Sequence, residues 1–345
     1  MRTKILIVLI ILIVLGVGGF FVYKNMTGLK VEKGVVPASS AEVRIYKGTW
    51  TPTLLTENSI KLNSYMRKLK TLGVNTVFFQ AGPPQAEHCL EGLPPDSKLA
   101  KKVKEILPVQ KELIINNIQT AHRNGLKVAL TMSTCMPASE KITLEAWNSR
   151  VIELAELAEE HEVEFFAPMN EPEALFGPSA SATWGQEILP KIREVYHGKI
   201  IWKGASIGDI QPDPGHPNPT NFSGYDYLGF SIGVGTGTIE DLPERVDYAL
   251  DTILGFAERD NCKGVMITEF YGNLPYSWEE RNWNEEKEAR ANEIILEKGK
   301  DKVVGFFALD FLGLSFFGED IPRMPIPKKS LKTEEVIRRW FREIL

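Results

Sequence analysis

The sequence predicts an α/β fold, a (β/α)8 TIM barrel preceded by an N-terminal transmembrane helix. Three observations predict the barrel. Eight short apolar runs alternate with amphipathic helical patterns over about 300 residues, the size of one barrel. Most of the runs are apolar throughout, as expected of parallel strands that are covered on both faces. No glycine-rich turn follows the first run, whereas a doubly wound open sheet usually carries one there.

The strands and helices can be placed from these patterns. The predicted strands cover residues 43–50, 75–80, 127–132, 164–169, 199–204, 225–232, 264–270 and 303–309. Apolar stripes with helical spacing lie between them, as in Leu62, Met66, Leu69 and Leu72, and Gly73 is suited to end that helix. The fifth crossover, 205–224, is rich in Pro, Gly and Asn and is predicted to be a loop.

The first 24 residues differ in character from the rest of the chain. Residues 5–23 form a run of 19 uncharged residues, long enough to cross the roughly 30 Å hydrocarbon layer as a helix. Bulky side chains at 20–23 stand where small residues would precede a signal-peptide cleavage site, so an uncleaved signal anchor is favoured over a cleaved signal peptide. We expect an anchor over 1–24, a tether over 25–41 and the barrel over 42–345.

The composition limits the classes of partner and cofactor. The net charge is −5 and no cluster of Lys and Arg is present, so nucleic acid is not predicted as a partner. The sequence lacks the histidine motifs of metal-dependent hydrolases, the phosphate-binding loop and the dinucleotide fingerprint, so no metal or cofactor is predicted. Three cysteines are too few for a disulfide framework, and a Cys89–Cys135 bridge and three free thiols both stay open.

Carboxylates end three of the predicted strands, at the end of a barrel where active sites lie. Strand four ends in Asn170 and Glu171, strand seven in Glu269 and strand eight in Asp310. Two glutamates that face each other across a barrel mouth suit the cleavage of a glycosidic bond. One carboxylic acid protonates the leaving oxygen, and the second carboxylate attacks the anomeric carbon.

Pro172 constrains the end of strand four. A residue before proline is disfavoured in the α region, so Glu171 is predicted to stay extended to the last position of the strand. Strand alternation sends Asn170 and Glu171 to opposite faces. A local twist or bulge is therefore needed for both side chains to reach the mouth.

Two short motifs carry a resemblance to a known group of enzymes. "MNEPE" at the end of strand four and "ITEF" at the end of strand seven resemble the signatures of clan A, the retaining (β/α)8 glycoside hydrolases that include cellulases, β-mannanases and galactanases. The resemblance covers roughly residues 43–345 and assigns no specific family. It implies that Glu171 is the acid/base, that Glu269 is the nucleophile and that Asn170 binds the sugar hydroxyl beside the reacting carbon. Glu171 then needs a raised pKa, which the neighbouring Glu269 charge could provide.

The sequence departs from the clan pattern at two places. Many members end strand eight in an aromatic residue, commonly Trp, as a floor for the sugar, whereas this chain reads Leu309, Asp310, Phe311. Many members carry a Tyr or His after strand six that contacts the nucleophile. Here "SIGVGTGT" follows, so either Tyr271 or Tyr225 serves in this role or no residue does.

Candidate substrate contacts accompany the two glutamates at the predicted mouth. The set is Trp50, Gln80, Asn170, Tyr271, Trp278, Asp310 and Phe311. Aromatic rings suit stacking on the apolar faces of sugars, although large aromatic side chains are more often packing residues. Asp310 is equally well explained as a structural carboxylate at the barrel rim.

These observations predict a membrane-anchored retaining β-glycoside hydrolase that cleaves a poly- or oligosaccharide by double displacement. The chain is expected to be a single-pass cell-membrane protein with its barrel outside the cell. That placement rests on function, because the charges flanking the helix do not decide the orientation. Secretion after cleavage is the alternative location. A cell-surface transglycosylase and a catalytically silent carbohydrate-binding barrel stay open, whereas a barrel lyase or isomerase would need a metal or lysine site that the sequence does not indicate.

Overall fold

The computed structural model describes residues 45–52, 59–87, 101, 104–105, 107–134, 141–206, 220–233, 238–271, 284–309 and 330–345. They belong to one unit, Arg44–Leu345. The expected anchor and tether lie outside the described residues. Within the described residues, no helix is both long enough and apolar enough to cross a membrane.

Eight parallel strands, β1 to β8, close into a barrel in the order in which they follow one another along the chain. Their bounds are Tyr46–Pro52, Thr76–Ala81, Lys127–Met132, Phe165–Ala167, Lys199–Lys203, Tyr227–Gly233, Val265–Tyr271 and Gly305–Leu309. Each strand pairs with the next, and β8 closes the barrel by pairing with β1, where Tyr46 faces Gly305. The predicted (β/α)8 barrel is therefore confirmed, and every predicted strand overlaps the observed strand of the same number.

Helices cover the outside of the barrel. They are α1 Ser59–Thr71, α2 Gln110–Arg123, α3 Leu144–Glu160, α4 Glu173–Phe176, α5 Pro178–Val195, α6 Leu242–Arg259, α7 Glu285–Gly299 and α8 Leu331–Arg339, which continues as a π-helical turn over Trp340–Ile344. Polar N-cap residues begin several of them, because their side chains accept hydrogen bonds from N–H groups of the first turn. Thr143 accepts from Ala146 in α3, and Asn284 accepts from Lys287 in α7. Most of the crossover predicted as a loop, 205–224, lies outside the described residues.

Alternate positions of each strand face opposite sides of the barrel wall and build two apolar layers. On β2, Val77 and Phe79 pack outward into the cluster formed with the helices. Phe78 points inward and meets Phe307 of β8 edge to face, with ring centroids 5.5 Å apart. Gly48 of β1 leaves room for that ring, because a Cβ here would lie 2.3 Å from Cδ1 of Phe307.

Aromatic side chains fill the interior at the amino-terminal ends of the strands. The rings of Tyr46 and Phe165 meet edge to face with centroids 4.8 Å apart, and Tyr227 lies against both. Lys199, the first residue of β5, donates to the Tyr46 hydroxyl over 2.8 Å. Its Nζ lies 5.4, 5.6 and 5.7 Å from the three ring centroids. These aromatic side chains occupy the amino-terminal end of the barrel interior. The polar interior residues described below lie toward the carboxyl ends of the strands.

Candidate active site

Asn170 and Glu171 are held at the carboxyl end of the barrel by main-chain hydrogen bonds. β4 ends at Ala167, earlier than predicted, but Asn170 rejoins the barrel wall through a single parallel bridge to Lys203 of β5. The Asn170 N–H donates to the carbonyl of Met132 on β3 over 2.7 Å. The Glu171 N–H donates to the carbonyl of Lys203 over 2.9 Å. Both neighbouring strands therefore fix the position of these two residues.

The backbone of Glu171 has a φ of +51°, so the prediction that Pro172 keeps this residue extended is wrong. A helical turn begins immediately afterwards, with Pro172 at φ −60° and ψ −22° and its carbonyl accepting from the Phe176 N–H. The chain has to change direction within one residue, and the left-handed conformation achieves this at a cost of roughly 1–2 kcal/mol. The local twist that the strand alternation requires here lies at Glu171.

Ser231 of β6 holds the Glu171 carboxylate. Its hydroxyl donates to Oε1 of Glu171 over 2.7 Å, and Ser231 itself is buried. The flanking residues Phe230 and Ile232 pack outward into the helix layer, so Ser231 faces the barrel interior. The sequence carries no signal for this residue, because a single serine in an apolar strand is unremarkable.

Glu269 reaches the interior through a β-bulge in β7. Ile267 packs outward, so strict alternation would send Glu269 outward as well. Against β6, however, Ile267 and Glu269 pair with consecutive residues, which leaves Thr268 as the extra residue of a bulge. The register against β8 shifts over the same stretch. The extra residue reverses the alternation, so Phe270 packs into the helix layer and Glu269 turns inward.

Lys203, the last residue of β5, is the partner of Glu269. Its Nζ donates to Oε2 of Glu269 over 3.2 Å. The Lys203 side chain has no exposed surface, and the Glu269 side chain is 13% exposed. The ammonium group also lies 5.5 Å from the ring centroid of Trp50 on β1. Tyr225, one of the alternatives for a contact with the nucleophile, instead donates its hydroxyl to the Gly185 carbonyl in the core.

The charges of the two glutamates influence each other. Burial raises the pKa of Glu269 to about 7, the Lys203 ammonium opposes this rise, and the Glu171 charge adds to it. The charge of Glu171 thus contributes to the raised pKa of Glu269, and the expectation made for Glu171 stays a prediction.

A third carboxyl group, Glu173, is buried in the first turn of α4. Its Oε1 accepts from the Trp202 indole N–H over 2.8 Å, and its Oε2 accepts from the Ala205 N–H over 3.1 Å. Burial raises the pKa of Glu173 to about 7, the hydrogen bonds oppose the rise, and the Glu171 charge adds to it. Glu173 thus ties the turn after β4 to β5 and to the segment that follows it. The sequence offered a signal for it, the second glutamate of "MNEPE".

Three buried polar atoms near the carboxyl ends of β1, β3 and β4 make no hydrogen bond within the part of the chain that the structure describes. They are Nε1 of Trp50, Oγ1 of Thr131 and Oδ1 of Asn170. A buried polar atom without a partner costs roughly 1–3 kcal/mol. Each of these atoms therefore has a hydrogen-bonding capacity that no described residue uses.

Of the remaining predicted substrate contacts, Gln80 and Tyr271 belong to the described residues and the others do not. Gln80 lies near the end of β2, is partly exposed and faces Thr131 in the register of β2 and β3. Tyr271 ends β7, and its ring lies against Gly233, where a Cβ would be 1.7 Å from the ring. Trp278, Asp310, Phe311, Cys89 and Cys135 lie outside the described residues.

The described residues contain no group of three or more His, Cys, Asp and Glu side chains arranged to hold a metal ion. The ionisable side chains that the structure places at this site are the carboxyl groups of Glu171, Glu173 and Glu269 and the ammonium of Lys203. Carboxyl groups of this kind can transfer protons and attack an electrophilic carbon.

Neither a protein-family model nor a curated protein matches the chain. Solved structures match it in fold. The GH113 β-mannanase from Alicyclobacillus acidocaldarius, in complex with ManMIm, is 16% identical with a TM-score of 0.59, over 87% of this chain and 98% of that chain. The endo-β-1,4-mannanase from Thermotoga petrophila is 10% identical with a TM-score of 0.62, over 87% and 77%. A GH5_18 protein from Bifidobacterium longum, in complex with Manβ1-4GlcNAc, is 13% identical with a TM-score of 0.60, over 86% and 78%.

The chain has the fold of the clan A glycoside hydrolases. The resemblance stated from the two motifs is confirmed at the level of the fold, and no specific family is assigned. Identities of 10–16% extend the likeness to the barrel and not to a substrate. The glycoside hydrolase fold therefore gives the context in which the two glutamates are interpreted below.

Proposed function

We propose that the chain is a β-glycoside hydrolase that cleaves a β-linked glycan by double displacement and retains the anomeric configuration. One observation carries the proposal. Two glutamates lie at the carboxyl ends of β4 and β7, and each is held by its own buried polar partner, Glu171 by Ser231 and Glu269 by Lys203. The fold shared with glycoside hydrolases supports the same conclusion.

In the proposed first step, the carboxylate of Glu269 attacks the anomeric carbon while Glu171, as the acid, gives its proton to the leaving oxygen. The bond between the anomeric carbon and that oxygen breaks, and a glycosyl ester of Glu269 forms. In the second step, Glu171 takes a proton from water, whose oxygen attacks the anomeric carbon and releases Glu269. We assign to Oδ1 of Asn170, which makes no hydrogen bond within the described residues, the role of accepting one from a sugar hydroxyl.

The pH dependence follows from the ionisation of the attacking group. Glu269 must be ionised to attack, and burial raises its pKa to about 7. The value of kcat/KM is therefore expected to fall as the pH drops below about 7. This acid limb is the side of the profile that Glu269 controls in the free enzyme.

A substrate panel with the full-length protein tests the proposal. β-1,4-Linked mannans are the first choice, because two of the fold relatives are β-mannanases and a third was solved with Manβ1-4GlcNAc. β-Glucans and β-galactans complete the panel. Glu171→Ala and Glu269→Ala are each expected to lose at least about a thousandfold in kcat, and azide should rescue both by forming glycosyl azides of opposite anomeric configuration.

Glu187→Ala, an exposed glutamate of α5, serves as the matched control and should keep the activity of the parent. If both Glu171→Ala and Glu269→Ala keep full activity on a substrate that the parent cleaves, the site assignment is wrong. Products formed at high acceptor concentration separate hydrolysis from transglycosylation. Glycan binding without turnover by the parent, retained in Glu269→Gln, would indicate a silent binding barrel.

Lys203 supplies the lysine that a barrel lyase would need. A lysine that forms a Schiff base must present its amine to the substrate carbonyl. Lys203 has no exposed surface and donates to Glu269, so the hydrolase is favoured. Borohydride reduction in the presence of carbonyl compounds is therefore expected to leave the protein unlabelled.

We also propose that the barrel is anchored to the cell membrane by residues 1–24. The support is the run of 19 uncharged residues over 5–23, which is long enough to span the hydrocarbon layer. Alkaline carbonate should leave the full-length protein in the membrane fraction, and its release would contradict the anchor.

A further inference from the structure

We propose that the Lys203 side chain positions Glu269, and that its ammonium keeps Glu269 in the carboxylate form needed for attack. This inference rests on the proposed function. Lys203 acts through Glu269, so it is a positioning residue and not a catalytic one.

The first support is that two different atoms of Lys203 reach the two glutamates. Its main-chain carbonyl accepts from the Glu171 N–H over 2.9 Å, at the residue where the chain turns with φ +51°. Its Nζ donates to Oε2 of Glu269 over 3.2 Å. One residue at the end of β5 therefore contributes to the placement of groups that follow β4 and β7.

The second support is the small inward residues of β6, the strand between β5 and β7. Lys203 is in register with Gly229 of β6, and both neighbours of Gly229, Leu228 and Phe230, pack outward. The inward positions of β6 beside Lys203 are thus a glycine and, two residues further on, Ser231. Gly229 leaves room for the side chain of Thr268, the extra residue of the β7 bulge, because a Cβ at Gly229 would lie 2.4 Å from Cγ2 of Thr268. That bulge turns Glu269 inward, where Lys203 donates to it.

The third support is burial. An ammonium without exposed surface is unfavourable unless an opposite charge and hydrogen bonds compensate for its lost hydration. Glu269 supplies the charge, and the Trp50 ring supplies a second favourable surface at 5.5 Å. Within the described residues, the charged groups that act on Glu269 are Lys203, which favours its carboxylate, and Glu171, which opposes it.

The proposal predicts a specific kinetic signature. Without Lys203 the carboxylate of Glu269 loses its compensating charge, so a larger fraction of Glu269 is protonated at neutral pH. The acid limb of kcat/KM should move up by at least about one pH unit, with at least a tenfold loss of kcat at pH 6.5. KM should change less than about threefold, since Lys203 has no surface that a substrate could touch.

Three substitutions and one control test this signature. Lys203→Met removes charge and donor, Lys203→Gln keeps a donor without charge, and Lys203→Arg keeps the charge. Lys199→Met is the matched control, because Lys199 begins the same strand, also lies over aromatic rings and donates to Tyr46 far from the glutamates. Circular dichroism and urea unfolding show which variants fold. If Lys203→Met does not fold, Lys203→Gln is used in its place.

Two readouts are measured for each variant, the pH profile of kcat/KM and the titration of Glu269 itself. The titration uses carbon NMR of protein labelled at the glutamate carboxyl carbon, with Glu269→Gln identifying the resonance. We expect Lys203→Met and Lys203→Gln to raise the midpoint and the acid limb together, Lys203→Arg to restore part of both, and Lys199→Met to change neither. A folded Lys203→Met or Lys203→Gln protein with an unmoved Glu269 midpoint overturns the inference. A parent protein that cleaves nothing on the glycan panel overturns the proposed function instead, and the NMR midpoint still reports the ion pair separately.

Discussion

Replacement of Glu173 by glutamine should remove a large part of the pH dependence of stability. Glu173 is 5% exposed, and burial raises its pKa from an ordinary value near 4.5 to about 7. The folded protein therefore holds a proton that the unfolded chain releases between these two values. The stabilisation from Glu173 is fully present below pH 4.5 and is lost as the pH rises through about 7. At about 1.4 kcal/mol for each pKa unit, the loss amounts to about 3 kcal/mol.

The assay is urea unfolding of the parent and of Glu173→Gln at pH 4.5 and pH 8. The unfolding free energy of the parent minus that of Glu173→Gln should decrease by about 3 kcal/mol from pH 4.5 to pH 8, because the amide does not titrate. Glu269 titrates with the same sign in both proteins, so its contribution cancels in the difference. Glu156→Gln, an exposed glutamate of α3, is the control and should follow the parent. Equal pH dependence in the parent and in Glu173→Gln would refute the reasoning.

Three further changes test the geometry of the site and of the barrel. Ser231→Ala removes the 2.7 Å hydrogen bond to Glu171 and should lower kcat about tenfold or more with little change in KM, and an unchanged kcat would contradict that role. Asn170→Ala should lower kcat/KM while leaving the urea midpoint nearly unchanged, because its Oδ1 makes no hydrogen bond within the described residues. Gly48→Ala places a Cβ 2.3 Å from the ring of Phe307 and should cost about 1–3 kcal/mol of unfolding free energy, whereas wild-type stability would show that the interior yields there.

The barrel could be predicted from the sequence because its signals are local and repeated. Strands covered on both faces have to be apolar throughout, and the helices between them have to carry one apolar stripe each. β3 is the clearest case, since the apolar run 127–132 coincides with the observed strand Lys127–Met132. The prediction is least accurate for β4, because the strand pairing stops at Ala167 whereas the apolar pattern continues to Met169.

The site could be predicted only as far as the strand ends. That rule placed Glu171 and Glu269 near each other, but the conformations that orient them are not local properties. The left-handed Glu171 results from the helical turn that starts at Pro172, and the inward turn of Glu269 results from an extra residue in β7. Lys203 escaped notice for a similar reason. A lysine at the end of an apolar run usually indicates that the strand has reached solvent, and the partner of Lys203, Glu269, lies two strands away.

The residues missed in this way explain one departure of the sequence from the clan pattern. Many members of the clan carry a tyrosine or histidine after strand six that contacts the nucleophile, whereas this chain reads "SIGVGTGT" there. Glu269 is contacted instead by Lys203 of β5, and the inward residues of β6 between these strands are Gly229, which leaves room for Thr268 of the β7 bulge, and Ser231. A bulky side chain at position 231 would fill the space beside Glu269 and also remove the hydroxyl that holds Glu171. Enlarging Ser231 should disturb Glu269 as well as Glu171, whereas Ser231→Ala should disturb Glu171 alone.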